Sequence, residues 1–245
     1  MVMRYVLERQ CRLVITDGEA TLEWPGGPLR ITTLAPGQAR VLEMLATGPA
    51  ERDLLAAAAE SDGQTSAAWL HMTLDRLVDL GLVTRIVGDP AVVAVTVIGV
   101  GSRAPVGELA GTAAIRLDPF AYLHSIAGVL TLESPRSCCR VELLEAGAAA
   151  LIAVLAAGTT PAAAAAAVPR WDAVTIFDLL GILHAESLIS VAAEAQDELS
   201  EWSFHDALFH SRSRTGRHSA PYGATYSRAI ERPPLPAVKP RPDGP

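Results

Sequence analysis

The chain has 245 residues, half of them hydrophobic and 19% charged, with a formal net charge of -7. A chain of this size can bury a substantial core and divides into one or two domains. Its acidic balance argues against general nucleic-acid affinity, because phosphate binding needs clustered Lys and Arg to displace counterions.

The chain opens with strand signals. RYVLE, RLVITDG, ATLEW and LRITTL are short runs rich in Val, Ile, Leu and Thr, separated by turn residues such as Asp17-Gly18 and Pro25-Gly26-Gly27. They predict a small antiparallel sheet. After Pro36-Gly37 the period becomes helical, with Ala39, Val41, Leu42 and Leu45 on one face and Gly48-Pro49 closing the helix. A second short helix, Glu51 to Ala59, ends at Ser61-Asp62-Gly63. Thr65 or Ser66 then caps a third helix whose apolar face is Trp69, Leu70, Thr73, Leu74, Leu77 and Leu80. Gly81 stops it, and LVTRIV, a turn at Gly88-Asp89-Pro90 and VVAVTVIGV form a strand pair of the kind called a wing. Three helices and a wing predict a winged helix-turn-helix.

The same order recurs at an offset of 110 residues. LRITTLAPGQARVLEMLATG (Leu29 to Gly48) meets CRVELLEAGAAALIAVLAAG (Cys139 to Gly158) without a gap, pairing Arg30 with Arg140, Gly37 with Gly147 and Gly48 with Gly158. Further on, LDRLVDLGLV (Leu74 to Val83) resembles FDLLGILHAESLI (Phe177 to Ile189), with a small insertion in the second copy. A repeat of this length is domain-sized and implies duplicated modules. The expectation is an α+β chain: a first winged-helix module at 1–100, a second at 112–195, a connecting helix and Arg/His-rich loop at 198–228, and a Pro-rich extended tail at 229–245.

The alanine-rich run from Ala146 to Val168 is uncharged, but Gly158-Thr159-Thr160-Pro161 breaks it, so two short buried helices are expected and no membrane span. The N-terminus lacks the apolar core of a signal peptide, and a cytoplasmic location follows. Cys11, Cys138 and Cys139 are odd in number, and neighbours on a strand point to opposite faces. Neither a disulfide framework nor a metal site is expected, and the cysteines read as buried free thiols.

Winged helices commonly read DNA through the third helix. Here that helix carries Arg76 against Asp75 and Asp79 in the first copy, and Asp172 and Asp178 without a basic residue in the second. A DNA-binding transcription regulator is therefore the alternative reading, and a peptide is the better ligand. A peptide can pair as an added strand on an edge while its side chains meet apolar pockets. The candidate residues are Arg30, Ile31 and Thr32 on the strand Leu29 to Leu34, and His71, Leu74 and Arg76 on the third helix. Against this, Trp69, Leu70, Leu74 and Leu77 at helical spacing fill the module's own core, and Arg30 and Arg140 read equally as solvated strand residues.

The segment from Glu201 to Ser227 crowds aromatics, histidines and arginines together. His205 and His210 are five apart, a poor spacing for a zinc pair on one helix face. Trp202, His205 and Phe209 share a face, as do Phe204 and Leu208, and predict a packed helix. Arg212, Arg214 and Arg217 form a basic loop able to hold a carboxylate or phosphate, or to pair with acids on a neighbouring surface.

The words WSFHDALFHSRSRTGRHSAPYGATYS and ERPPLPAVKPRP closely resemble the segment of SagB-type dehydrogenases that joins their N-terminal region to a nitroreductase-like catalytic domain. That resemblance is specific for Trp202 to Tyr226 and Leu235 to Pro240; for residues 1–200 it rests on architecture. It implies a part in FMN-dependent oxidation of azolines to thiazoles and oxazoles on ribosomally made precursor peptides. It implies that Trp202, His205, Asp206, Phe209, His210, Arg212, Arg214, Arg217 and Tyr226 form a docking segment. No cofactor is expected within this chain, since in the family the FMN domain follows this point; FMN is expected in a partner or in a missing catalytic domain. The implied partners are the precursor (leader) peptide, a flavin-dependent dehydrogenase subunit and a cyclodehydratase, with self-association left open and neither nucleic acid nor membrane involved.

Overall fold

The computed structural model describes residues 3–24, 27–62, 64–98, 106, 109–191 and 203–210, the side chains of 60–62, 64–66 and 210 aside. The first unit opens with β1 (Met3–Leu7), β2 (Arg12–Thr16), β3 (Glu19–Glu23) and β4 (Leu29–Ile31). It continues with α1 (Pro36–Met44), α2 (Glu51–Asp62), α3 (Gln64–Asp79), β5 (Val83–Val87) and β6 (Val93–Val97). The second runs through β7 (Ile115–Leu117), β8 (Tyr122–Ile126), β9 (Val129–Glu133), β10 (Cys139–Leu143), α4 (Ala146–Ala157), α5 (Pro161–Ala167), α6 (Ala173–Ala185) and β11 (Ile189–Val191). A last helix, α7, spans Phe204–His210. The fold is mixed α+β with small antiparallel sheets and, among the described residues, seven α-helices. None of those helices is long and apolar enough to cross a membrane.

The duplication holds at the level of backbone conformation. Asp17-Gly18 and Ala127-Gly128, which turn β2 into β3 and β8 into β9, have all four residues at positive φ, the geometry of a two-residue hairpin. Gly48 and Gly158 share a positive φ, 70° and 81°, but differ in ψ, 53° against 132°. Past the second helix the offset falls to 106. The Leu82 N–H bonds to Leu77 C=O as the Leu188 N–H bonds to Leu183 C=O, with Gly81 (φ 64°) and Ser187 (φ 57°) at equivalent corners. The third helices therefore align Leu77 with Leu183, and the pairing of Leu74 with Phe177 is three residues out of step. The shortening sits in α5, which Thr160 caps through its hydroxyl, accepting from the Ala163 N–H at 3.2 Å.

The strand pair expected as a protruding wing is an interior part of a sheet. Six strands run β1-β5-β6-β10-β9-β8, so β5 and β6 have neighbours on both sides. Their sequences, VTRIV and VAVTV, are β-branched and mostly buried, as suits central strands. In the second unit one strand, β11, follows the third helix among the described residues, and it pairs with β7. The β6–β10 pairing, Cys139 opposite Val97 through Leu143 opposite Val93, joins the two units in one sheet over one hydrophobic core. The expected boundary between modules at 101–111 lies largely outside the described residues.

Candidate functional site

Strand β4 ends the three-stranded sheet β2-β3-β4. The tight hairpin closes on a hydrogen-bonded pair, Thr16 opposite Glu19, so bonding alternates from there: Thr21 bonds to β2, while Ala20 and Leu22 bond to β4. Ala20 faces Ile31 and Leu22 faces Leu29, which leaves the N–H and C=O of Arg30 pointing away from the sheet. The corresponding strand of the second unit is not open. There the Leu144 N–H donates to Val92 C=O at 3.0 Å and the Ile98 N–H to Cys138 C=O at 2.8 Å, which places the outward groups of Arg140 on β6. The β3–β4 and β9–β10 registers differ by two residues, a shift that keeps every side chain on its own face. The position that β6 fills beside β10 is thus vacant of backbone partners beside β4 among the described residues.

The residues expected to bind peptide fall in different surroundings. Arg30 is exposed, Ile31 is half-buried, and Thr32 is exposed just beyond the strand, which stops short of Leu34 because Thr33 turns left-handed at φ 61°. His71 and Arg76 lie on the solvent side of α3, and His71 Nδ1 stands 3.9 Å from Glu51 Oε1 on α2. Leu74 is 3% exposed and belongs to the core with Leu70 and Leu77. Helix α3 packs chiefly on α2, β5 and β6, while β4 lies on β3.

In the expected docking segment, Ser203 starts α7, its hydroxyl accepting from the Asp206 N–H at 3.2 Å. Phe204 and Leu208 are half-buried and His205, Asp206 and Phe209 are exposed. The Phe204 ring meets Tyr122 on β8 edge-on at 5.4 Å, which seats the helix against the end of the large sheet. The His210 side chain, Trp202, Arg212, Arg214, Arg217, Tyr226 and the Pro-rich tail lie outside the described residues.

Two of the three buried carboxylates among the described residues, Glu133 and Glu186, organise clusters that spacing alone did not reveal. Glu133, on β9, accepts from Tyr122 Oη at 2.7 Å and Arg140 Nε at 2.9 Å, with His124 Nε2 at 3.4 Å. Arg140 is therefore an ion-paired residue and not simply a solvated one. Glu186, at the C-terminal end of α6, pairs with buried Arg85 of β5 and accepts from Cys139 Sγ at 2.7 Å. Adjacent cysteines diverge only when both lie on a strand. Cys138 precedes β10 in a bend, so the two thiols and the Glu186 carboxylate converge, with donor atoms within 4.8 Å of one another. A hydrogen bond with Cys138, then burial and the nearby Glu186, hold the Cys139 thiol well above its ordinary range.

Among the described residues, clefts flank the second unit's helices. One, of about 400 Å³, lies between Gly88–Pro90 and Trp171, whose Nε1 donates to Glu145 at 3.1 Å; Arg170 pairs with the same carboxylate at 3.1 Å. Gly147 packs closely here: a Cβ would meet the Trp171 ring at 3.0 Å. Another, of about 390 Å³, is lined by Val129, Leu130, Leu143, Leu144 and Glu145.

No curated protein matches the chain. Residues 115–219, from β7 through α7 into the Arg-rich segment, match the family model of cyanobactin oxidase ThcOx.

Proposed function

We propose that this chain is the precursor-binding and docking part of an FMN-dependent oxidase that converts azolines to thiazoles or oxazoles on ribosomally made peptides. Each unit is read as a winged-helix-like peptide-recognition module, with the leader peptide adding as an antiparallel strand to β4. The observation that carries the reading is the asymmetry between the repeats: β10 holds a fourth strand, β6, where β4 holds none among the described residues. The likeness of residues 115–219 to cyanobactin oxidase supports the same chemical setting.

Neither of these clefts suits FMN. Glu145 lines both, Asp89 and Asp172 also line the larger, and Arg170 is already paired with Glu145, so carboxylates face the space a phosphate would need. The flavin is assigned to a partner or to a further catalytic domain, with α7 and the arginines that follow as the docking element and the cyclodehydratase as an upstream associate. The reading as a DNA-binding regulator is disfavoured by the outer faces of the third helices: Met72, Asp75 and Asp79 accompany Arg76 on α3, and Asp172, Ala173 and Val174 open α6. Fluorescence anisotropy of a labelled leader peptide, taken from a precursor gene beside this one, tests the proposal against the purified chain. Saturable binding that tolerates salt is expected. Absence of binding to the leader, together with a salt-steep shift of a DNA fragment, would reverse the assignment.

A further inference from the structure

We infer that Cys138, Cys139 and Glu186 form a binding site for a thiophilic divalent cation of the zinc class. The three donors come from two places that the fold brings together: the bend and first residue of β10, and the C-terminal end of α6. In a tetrahedral zinc site with sulfur at about 2.3 Å, neighbouring donor atoms stand roughly 3.8 Å apart. The three donors here lie within 4.8 Å of one another, so closing on an ion takes a movement of about an ångström.

Charge favours the same assignment. A dication, two thiolates, the Glu186 carboxylate and the Arg85 guanidinium sum to zero, so the loaded site would carry no uncompensated charge into the core. On loading, two sulfur–metal bonds form and the two thiol protons pass to solvent, while Glu186 keeps one oxygen on Arg85 and turns the oxygen that now accepts from Cys139 to the ion. No oxidant or reductant is involved. Two sulfur donors select zinc-like ions over magnesium or calcium. Three protein donors leave a fourth position for water or an incoming thiolate, and half-buried Cys138 marks the side from which an ion enters. Because Arg85 belongs to β5 and the donors to the second unit, the ion would clamp the two units at their shared sheet.

Cobalt titration of the metal-free chain tests this, since cobalt in a thiolate site shows a sulfur-to-metal charge-transfer band. One equivalent is expected to give that band and to raise the thermal midpoint, and zinc is expected to displace it. Cys138→Ser and Cys139→Ser should each abolish the band, and Cys11→Ser should keep it. Glu186→Gln risks misfolding, so Cys138→Ser, at a half-buried bend, is the decisive variant, with circular dichroism confirming its fold. No band at stoichiometric cobalt, or a band that survives Cys138→Ser, overturns the assignment.

Discussion

Replacing Arg30 with proline tests strand addition at β4 with little disturbance of the sheet itself. Leu29 and Ile31 carry the ladder to β3, so of the backbone donors Arg30→Pro removes only the outward N–H, along with the arginine side chain. A peptide carbonyl that would have accepted from it is left unsatisfied, at a cost of about 1–3 kcal/mol, or a roughly 5- to 150-fold rise in Kd. Arg30→Ala removes the side chain and keeps the N–H, which separates charge from backbone. Ile31→Pro cuts the bond to Ala20, which is fully buried, and should cost stability by about 1–3 kcal/mol. The assay is anisotropy of the labelled leader peptide for binding and urea unfolding for stability. If Arg30→Pro binds as tightly as Arg30→Ala while retaining the parent midpoint, no strand adds at β4.

Glu186→Gln leaves Arg85 buried without its carboxylate and is expected to lower unfolding free energy by about 3–5 kcal/mol in urea titration. Leu74→Ala should cost about 2–5 kcal/mol, whereas Met72→Ala, two residues away and 74% exposed, should stay within about 0.5 kcal/mol. Burial, with Glu51 adding to it, pushes the Tyr5 hydroxyl up to about 12 from 10.0. The unfolded chain then ionises first, so stability held below pH 10 is lost as pH rises through 12, by up to about 3 kcal/mol; Tyr5→Phe should flatten that limb in pH-dependent unfolding.

Much of the chain was legible because its signals are local. Turn pairs such as Asp17-Gly18 demand positive φ and mark the hairpins, and the gapless likeness of Leu29–Gly48 to Cys139–Gly158 announces the duplication. The alignment slipped in the third helices because α5 is proline followed by six alanines, a run with no apolar period to hold a register. The β6–β10 pairing escaped notice because any strand of Val, Ala and Thr suits a sheet interior, and nothing local says which neighbour it takes. Leu74 shares its helical spacing with Leu70 and Leu77, the pattern of a core face, and that spacing outweighs its candidacy as a contact residue. The Cys138-Cys139-Glu186 cluster depended on Cys138 lying outside the strand, and on a carboxylate 47 residues beyond Cys139 whose position follows from how α6 ends.

A chain built from two copies of one module would ordinarily be expected to take two equivalents of a shared ligand. With β6 seated on β10, the second copy already holds an intramolecular competitor whose effective concentration no free peptide matches. On the proposed reading the valency of the chain for an added strand at this repeated position is one, and a calorimetric titration with leader peptide should reach its end point at equimolar ratio.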